Sequence, residues 1–232
     1  MHTVSGGTCV DAWKQAVNLI VQDRVDIKNL IVSINDPTHL EPQWLTRYDP
    51  RKCGRQYDHI RDVINTVFPI RLAGRHAQRD ALYAAYDRVH GRASTRRWNR
   101  SRWGTYFQRL TNFDGSGVNQ LERAIRLIGS WQRKEAVFVF HLSAPNVDGV
   151  LPRGGPCWHY GEIVWNPDDS LDFVVVYRNH DYFNKALGNF LALGQLLAFI
   201  CTETGKVPGR MVCHSVHVYR STSNVLLRQF AT

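Results

Sequence analysis

The stretch NKALGNFLALGQLLAFICTETG, residues 184–205, constrains the fold of this chain more than any other. It is apolar around most of its circumference and closes on Gly205, so it reads as one long helix that belongs in a core. Its most apolar run, residues 190–201, is shorter than the ~18 residues a membrane span needs. Strand-like segments flank it. YGEIVWNPDDSLDFVVVYRN holds two β-rich runs around an Asn-Pro-Asp-Asp turn, a hairpin signal, and MVCHSVHVYRS alternates as a strand does.

Further upstream, NLIVSIND at 29–36 and EAVFVFHLS at 135–143 read as buried strands. Helical periodicity appears at 8–22, with Thr8 as N-cap, and at 57–68, 78–90 and 117–131. Residues 36–56, rich in proline, read as loop. The pattern of helices first, then a strand-rich half around one buried helix, predicts a single α+β domain over residues 1–232.

The chain carries a net charge of +9 and has a pI near 9.6. That balance favours an anionic partner: a nucleotide phosphate, a nucleic acid or a polyanionic cofactor. The densest basic stretch is GRASTRRWNRSRWG, residues 91–104, whose interleaved Arg and Trp could stack on bases or could simply anchor a solvated loop. Cys9, Cys53, Cys157, Cys201 and Cys213 form no C-x-x-C pair, which argues for reduced thiols and against a disulfide framework or a zinc cage. With no secretory pattern at the start, a cytoplasmic location without a membrane partner is expected.

In the second half, polar residues gather around apolar segments. Arg178 ends a predicted strand, Asp181 follows, and Asn189 sits at the start of the apolar helix. A cation, a carboxylate and an amide there are costly to bury unless they are paired or contact a polar ligand. His217 and Tyr219, two apart in a strand, share one face. Cys157, in GGPCWHYGEI, can be a packed thiol or a nucleophile on these grounds alone.

Taken in order, Pro156-Cys157 before a hairpin, YRNHD, Asn189, TETGKVPG and HSVHVY resemble thymidylate synthase and its relatives, the pyrimidine nucleotide hydroxymethylases. GTYFQRL followed by VNQLERAIRLI resembles the family's Tyr-Gly-x-Arg-Leu and Asn-Gln segments. CVDAW looks like the opening helix of its short archaeal and hydroxymethylase branch. The resemblance runs from about residue 8 to 222. Departures are Asn179 in place of a phosphate-binding Ser, Trp158 after the Cys, Phe107 in place of a Gly, and no match to the family's proton-relaying Glu.

The resemblance implies a thymidylate-synthase-like fold, a mixed β-sheet packed with helices that pairs sheet to sheet as a homodimer. It implies transfer of a methyl or hydroxymethyl group to C5 of a pyrimidine nucleotide, with dUMP as the expected substrate and 5,10-methylenetetrahydrofolate as donor. Cys157 would add to C6 of the ring. Arg178 would lower the thiol's pKa and bind phosphate alongside Asn179, and Asp181 would order the pocket. Asn189 would face the base, His217 and Tyr219 the sugar, and Arg133 with Lys134 would reach the phosphate of a neighbouring subunit. The Asn at position 189 favours uracil over cytosine. Alternatives are a hydroxymethylase of a cytidine nucleotide and a non-catalytic nucleotide-binding module, the latter favoured by the missing Glu and by Trp158 crowding the thiol. A nucleic-acid-binding protein using residues 91–104 is the third.

Overall fold

The computed structural model describes residues 1–22, 26–94, 103–149 and 154–231. The strands are β1 (His2–Thr8), β2 (Ile27–Asp36), β3 (Val137–His141), β4 (Trp158–Trp165), β5 (Ser170–Asp181) and β6 (Val207–Tyr219). The helices are α1 (Cys9–Gln22), α2 (Trp44–Arg47), α3 (Ile60–Val67), α4 (Ile70–Ala73), α5 (Arg79–Ser94), α6 (Tyr106–Thr111), α7 (Gln120–Ser130), α8 (Pro145–Asp148), α9 (Ala186–Thr204) and α10 (Asn224–Ala231).

The six strands among the described residues form one mixed sheet in the order β1-β2-β6-β5-β4-β3. β1 runs parallel to β2, and β5 runs parallel to β6. Each parallel pair needs a crossover, and the crossovers are α1 and α9, which pack on each other. α9 is the apolar helix. At 19 residues it is longer than the 190–201 run and apolar enough to cross a membrane, but 72% of its 18-residue apolar window is buried inside the protein, as suits a core helix. Gly194 lets its backbone touch loop 37–43, because a Cβ there would lie 1.8 Å from the Pro37 carbonyl oxygen. Gly205, at φ 68°, ends the helix in the left-handed conformation and donates to the Cys201 carbonyl.

Thr8 caps α1 as expected. Its Oγ1 accepts from Asp11 N–H at 3.2 Å, and the Asp11 carboxylate accepts from Thr8 N–H at 3.4 Å. Trp13, Ala16, Val17 and Ile20 of α1 join the core beneath the sheet. The opposite sheet face carries Val139, Tyr160, Val174, Val176 and Val212, half-exposed or exposed.

Several elements differ from the sequence reading. β1 precedes the first helix, and α2 and a 3-10 turn at Pro50–Cys53 lie within the predicted loop. α5 passes Gly91 to end at Ser94, and β5 runs beyond Arg178 to Asp181. Most of the Arg/Trp-rich stretch 91–104 lies outside the described residues; Trp103 packs on Tyr106 with ring centroids 4.9 Å apart, an anchoring contact.

Candidate active site

Cys157 lies at the entrance to β4, with its backbone held from two sides. The Tyr106 hydroxyl accepts from Cys157 N–H at 3.1 Å and from Trp158 N–H at 3.2 Å, while the Cys157 carbonyl accepts from Arg178 N–H at 2.9 Å. Tyr106 comes from α6, a helix of six residues started by a capping box between Thr105 and Gln108. The preceding Gly154 and Gly155, at φ 80° and 70°, turn the chain so that its carbonyls converge on the Arg178 guanidinium. Nε donates to Pro156 O at 3.2 Å and Nη2 to Gly154 O.

The thiol is half-buried, and burial pushes its pKa above the usual value. The Arg178 charge and its hydrogen bond, with a smaller contribution from Lys185, pull it back. Lys185 pairs with Asp58 at 2.5 Å and sits at the N-terminus of α9. Trp158 does not crowd the thiol: it is fully buried in the core, stacked on Tyr177, because alternation along β4 turns it away.

The parallel register of β5 and β6 assembles the next layer. Asn179 pairs with His217 and Asp181 with Tyr219. Asn179 Oδ1 lies 2.7 Å from His217 Nδ1, and His217 Nε2 lies 3.2 Å from the Asp26 carboxylate. The His217 and Tyr219 rings stack at 5.9 Å, on one face as predicted. Burial, helped by the charges of Asp181 and Cys157, pushes the Tyr219 hydroxyl up to about 12. Asp181 Oδ1 accepts from the N–H groups of Phe183, Asn184 and Ser221, at 3.0, 3.2 and 3.3 Å. It therefore ties the exit of β5 to the exit of β6.

Asn189 is buried in the first turn of α9, and its Nδ2 lies 3.1 Å from His180 Nε2. His180, Tyr177, Tyr106 and Ser215 were given no role by sequence reasoning. Their signal was faint: YRNHD packs several polar groups into one strand end, but the stack of Tyr177 on His180, 4.2 Å between centroids, is visible only in three dimensions. The Tyr177 hydroxyl is buried without a hydrogen-bond partner among the described residues, within electrostatic reach of Tyr106 and Cys157.

Two predicted residues are not brought to this group. Lys134 donates to Pro167 O at 2.9 Å and pairs with Asp169 at 3.1 Å, and Arg133 precedes it, so both lie at the other end of β4, roughly 26 Å along the strand from Cys157. Among the described residues no cluster of His, Cys, Asp and Glu has the makings of a metal site.

A cavity of about 260 Å³ opens against Arg178, lined also by Ser143, Pro145, Asp148, Gly155 and His159. It shares Ser143, Ala144 and Pro145 with an apolar groove of about 640 Å³ between α7 and β3. The arrangement offers a thiol held beside a cation, a second cation at a helix start, and hydrogen-bonding groups on adjoining strand ends. Such a set can hold an anionic ligand while a nucleophile reacts.

No family model matches the chain. Over 118 residues it is 30% identical to a protein named "Putative thymidylate synthase" from Methanococcoides burtonii, a match covering 50% of this chain and 52% of the relative. The chain thus spans about half the length of the curated relative it matches. That likeness supports a thymidylate-synthase-like family.

Proposed function

We propose that the protein transfers a one-carbon unit to C5 of a pyrimidine nucleotide, with dUMP as the substrate, through a covalent bond between Cys157 Sγ and C6 of the ring. One observation carries this reading: Cys157, Arg178, Asn179, Asp181, Asn189, His217 and Tyr219, spread over 63 residues, gather around the ends of β5 and β6 and the start of β4 and α9. The similarity to a protein named as a thymidylate synthase supports it independently.

C5 of a pyrimidine is a poor nucleophile. Addition of the Cys157 thiolate to C6 moves the ring's electrons onto C5 and O4, giving an enolate able to attack a carbon electrophile. Loss of the C5 proton, with cleavage of the bond between the new carbon and the donor nitrogen, would leave an exocyclic methylene on C5. Addition of hydride from the tetrahydrofolate, which becomes dihydrofolate, gives the methyl product and addition of water the hydroxymethyl product; either step expels Cys157 as thiolate and restores the C5–C6 double bond. Arg178 favours the thiolate that starts the sequence and offers charge to the nucleotide phosphate. Asn189 presents an amide to N3–H and O4. Tyr106 fixes the backbone from which the thiol projects. His217 and Tyr219 offer hydrogen bonds to the sugar, while Asp181 keeps both strand ends in place.

The donor, 5,10-methylenetetrahydrofolate, would be a second substrate supplying the electrophilic carbon. The groove lined by Phe113, Leu127, Phe138 and Val139 has the apolar walls that a flat ring system requires. A second copy of the chain, packed on the sheet face that carries Tyr160, Val174 and Val176, would bury that face and could offer Arg133 and Lys134 to the neighbouring site.

The test is release of tritium from [5-³H]dUMP, with dCMP, UMP and CMP alongside, with and without 5,10-methylenetetrahydrofolate, for wild type and Cys157→Ala. Release by wild type that drops at least ~10³-fold in the variant, with nucleotide binding retained, is the expected result. Binding without release in the wild type would instead favour a non-catalytic nucleotide module.

A further inference from the structure

His180 takes no part in the chemistry above, yet both of its ring nitrogens are engaged. It is 1% exposed, lying flat on Tyr177 and edge-on to Phe190. Nδ1 lies 2.9 Å from Ser215 Oγ, and Nε2 lies 3.1 Å from Asn189 Nδ2. An amide nitrogen can only donate, so Nε2 is the acceptor. In a neutral imidazole the single ring proton then resides on Nδ1 and is donated to Ser215. The Ser215 hydroxyl has Tyr182 Oη at 3.4 Å and Cys213 Sγ at 3.8 Å as its further neighbours. Burial keeps the ring neutral, pushing its pKa down to about 3.

This arrangement gives the Asn189 amide a direction. With Nδ2 turned to His180, one N–H of the amide is spent there and one remains, while Oδ1 has no hydrogen-bond partner among the described residues and is not sealed from solvent. A uracil ring shows an N3–H donor beside the O4 acceptor, which matches Oδ1 and the remaining N–H. A cytosine ring shows the reverse, an N3 acceptor beside an amino donor. Serving cytosine requires the amide to turn over, which sets Oδ1 against the lone pair of His180 Nε2.

We infer that His180, protonated on Nδ1, is a positioning residue that holds the Asn189 amide in one orientation and thereby selects a keto over an amino pyrimidine ring. The inference rests on the reading that Asn189 faces the base.

The experiment measures dUMP and dCMP affinity by calorimetry for the wild type, His180→Leu and Ser215→Ala, together with the ¹⁵N imidazole signals of His180 in the wild type. The expected results are an unprotonated Nε2 signal, a wild-type preference for dUMP, and a dUMP-to-dCMP affinity ratio about tenfold smaller in His180→Leu, the size expected from removing one polar mismatch. Ser215→Ala removes the acceptor for Nδ1–H and lowers the ratio by a smaller factor. Should His180→Leu fail to fold, Ser215→Ala and the imidazole signals decide. A protonated Nε2, or an unchanged ratio in a folded variant, overturns the inference while leaving the proposed function standing. If the wild type binds neither nucleotide, the proposed function fails and base selection with it, and an unprotonated Nε2 signal would show that the His180–Asn189 contact is nonetheless real.

Discussion

Arg109 and Arg178 both draw a guanidinium out of solvent, and their surroundings treat the charge differently. Arg109, from α6, meets Asp148 in a two-pronged pair at 2.7 and 2.8 Å, with both side chains under 10% exposed, and also donates to Leu142 O. Trp103 and Phe113 flank it. Arg178, half-buried on β5, reaches the carbonyl oxygens of Pro156 and Gly154 and acts on the Cys157 thiol. A carboxylate cancels a positive charge, whereas a carbonyl orients a guanidinium and leaves most of its field intact. Arg109 is thus a brace, whereas Arg178 acts on the Cys157 thiol.

The largest effect should come from breaking the brace. Asp148→Ala leaves the Arg109 charge buried and uncompensated, and the expected loss of stability is about 3–5 kcal/mol in urea unfolding. A loss under ~1 kcal/mol would mean that Arg109 finds water instead, and the contrast between the two arginines would weaken.

Arg178→Ala should do the opposite, changing stability by less than ~1 kcal/mol while weakening nucleotide affinity roughly 10- to 100-fold. Without the cation the Cys157 pKa rises further, so alkylation of that thiol at neutral pH should slow about tenfold. If alkylation speeds up, burial rather than charge governs the thiol.

The smallest effect concerns an intermediate case. Glu122 accepts from Arg79 at 2.7 and 3.0 Å, from Arg126 at 2.8 Å and from Tyr83 at 3.2 Å, and chiefly the Arg79 hydrogen bond holds its pKa at about 2 against an ordinary 4.5. A carboxylate depressed in the folded state contributes stability that is complete above pH ~4.5 and is lost as the pH falls towards 2. Glu122→Gln should cost about 1–2 kcal/mol at pH 7 and flatten that acid limb of the stability curve. Parallel acid limbs for wild type and variant would show that the network does not depend on the Glu122 charge.

Sequence patterning revealed the parts of the molecule that periodicity controls. α1, α9 and the β4–β5 hairpin announce themselves because burial forces one apolar stripe, an apolar circumference or strict alternation. β1 does not, since HTVSGGT lacks large apolar residues and is a strand because β2 lies beside it. α6 is too short for a period to show, although it supplies Tyr106. Within the candidate site, Cys157, Arg178, Asn189, His217 and Tyr219 stand out in the sequence as an ordered set of motifs. The parts played by His180 and Ser215 do not, because they depend on which ring stacks on which and on a hydrogen bond between residues 35 apart.

The connection from α9 to β6 consists of Gly205 and Lys206. Asp181 grips three of the four residues that lead into α9, Phe183 and Asn184 through its carboxylate and Lys185 through its carbonyl, and the β5–β6 register is set at both ends of that helix. A residue gained within α9 would rotate everything beyond it by about 100°, and one gained within β6 would turn His217 and Tyr219 to the wrong face. Length between Arg178 and Tyr219 is therefore inherited as a unit: descendants that keep this arrangement can change letters in this stretch, but their insertions and deletions should accumulate elsewhere in the chain.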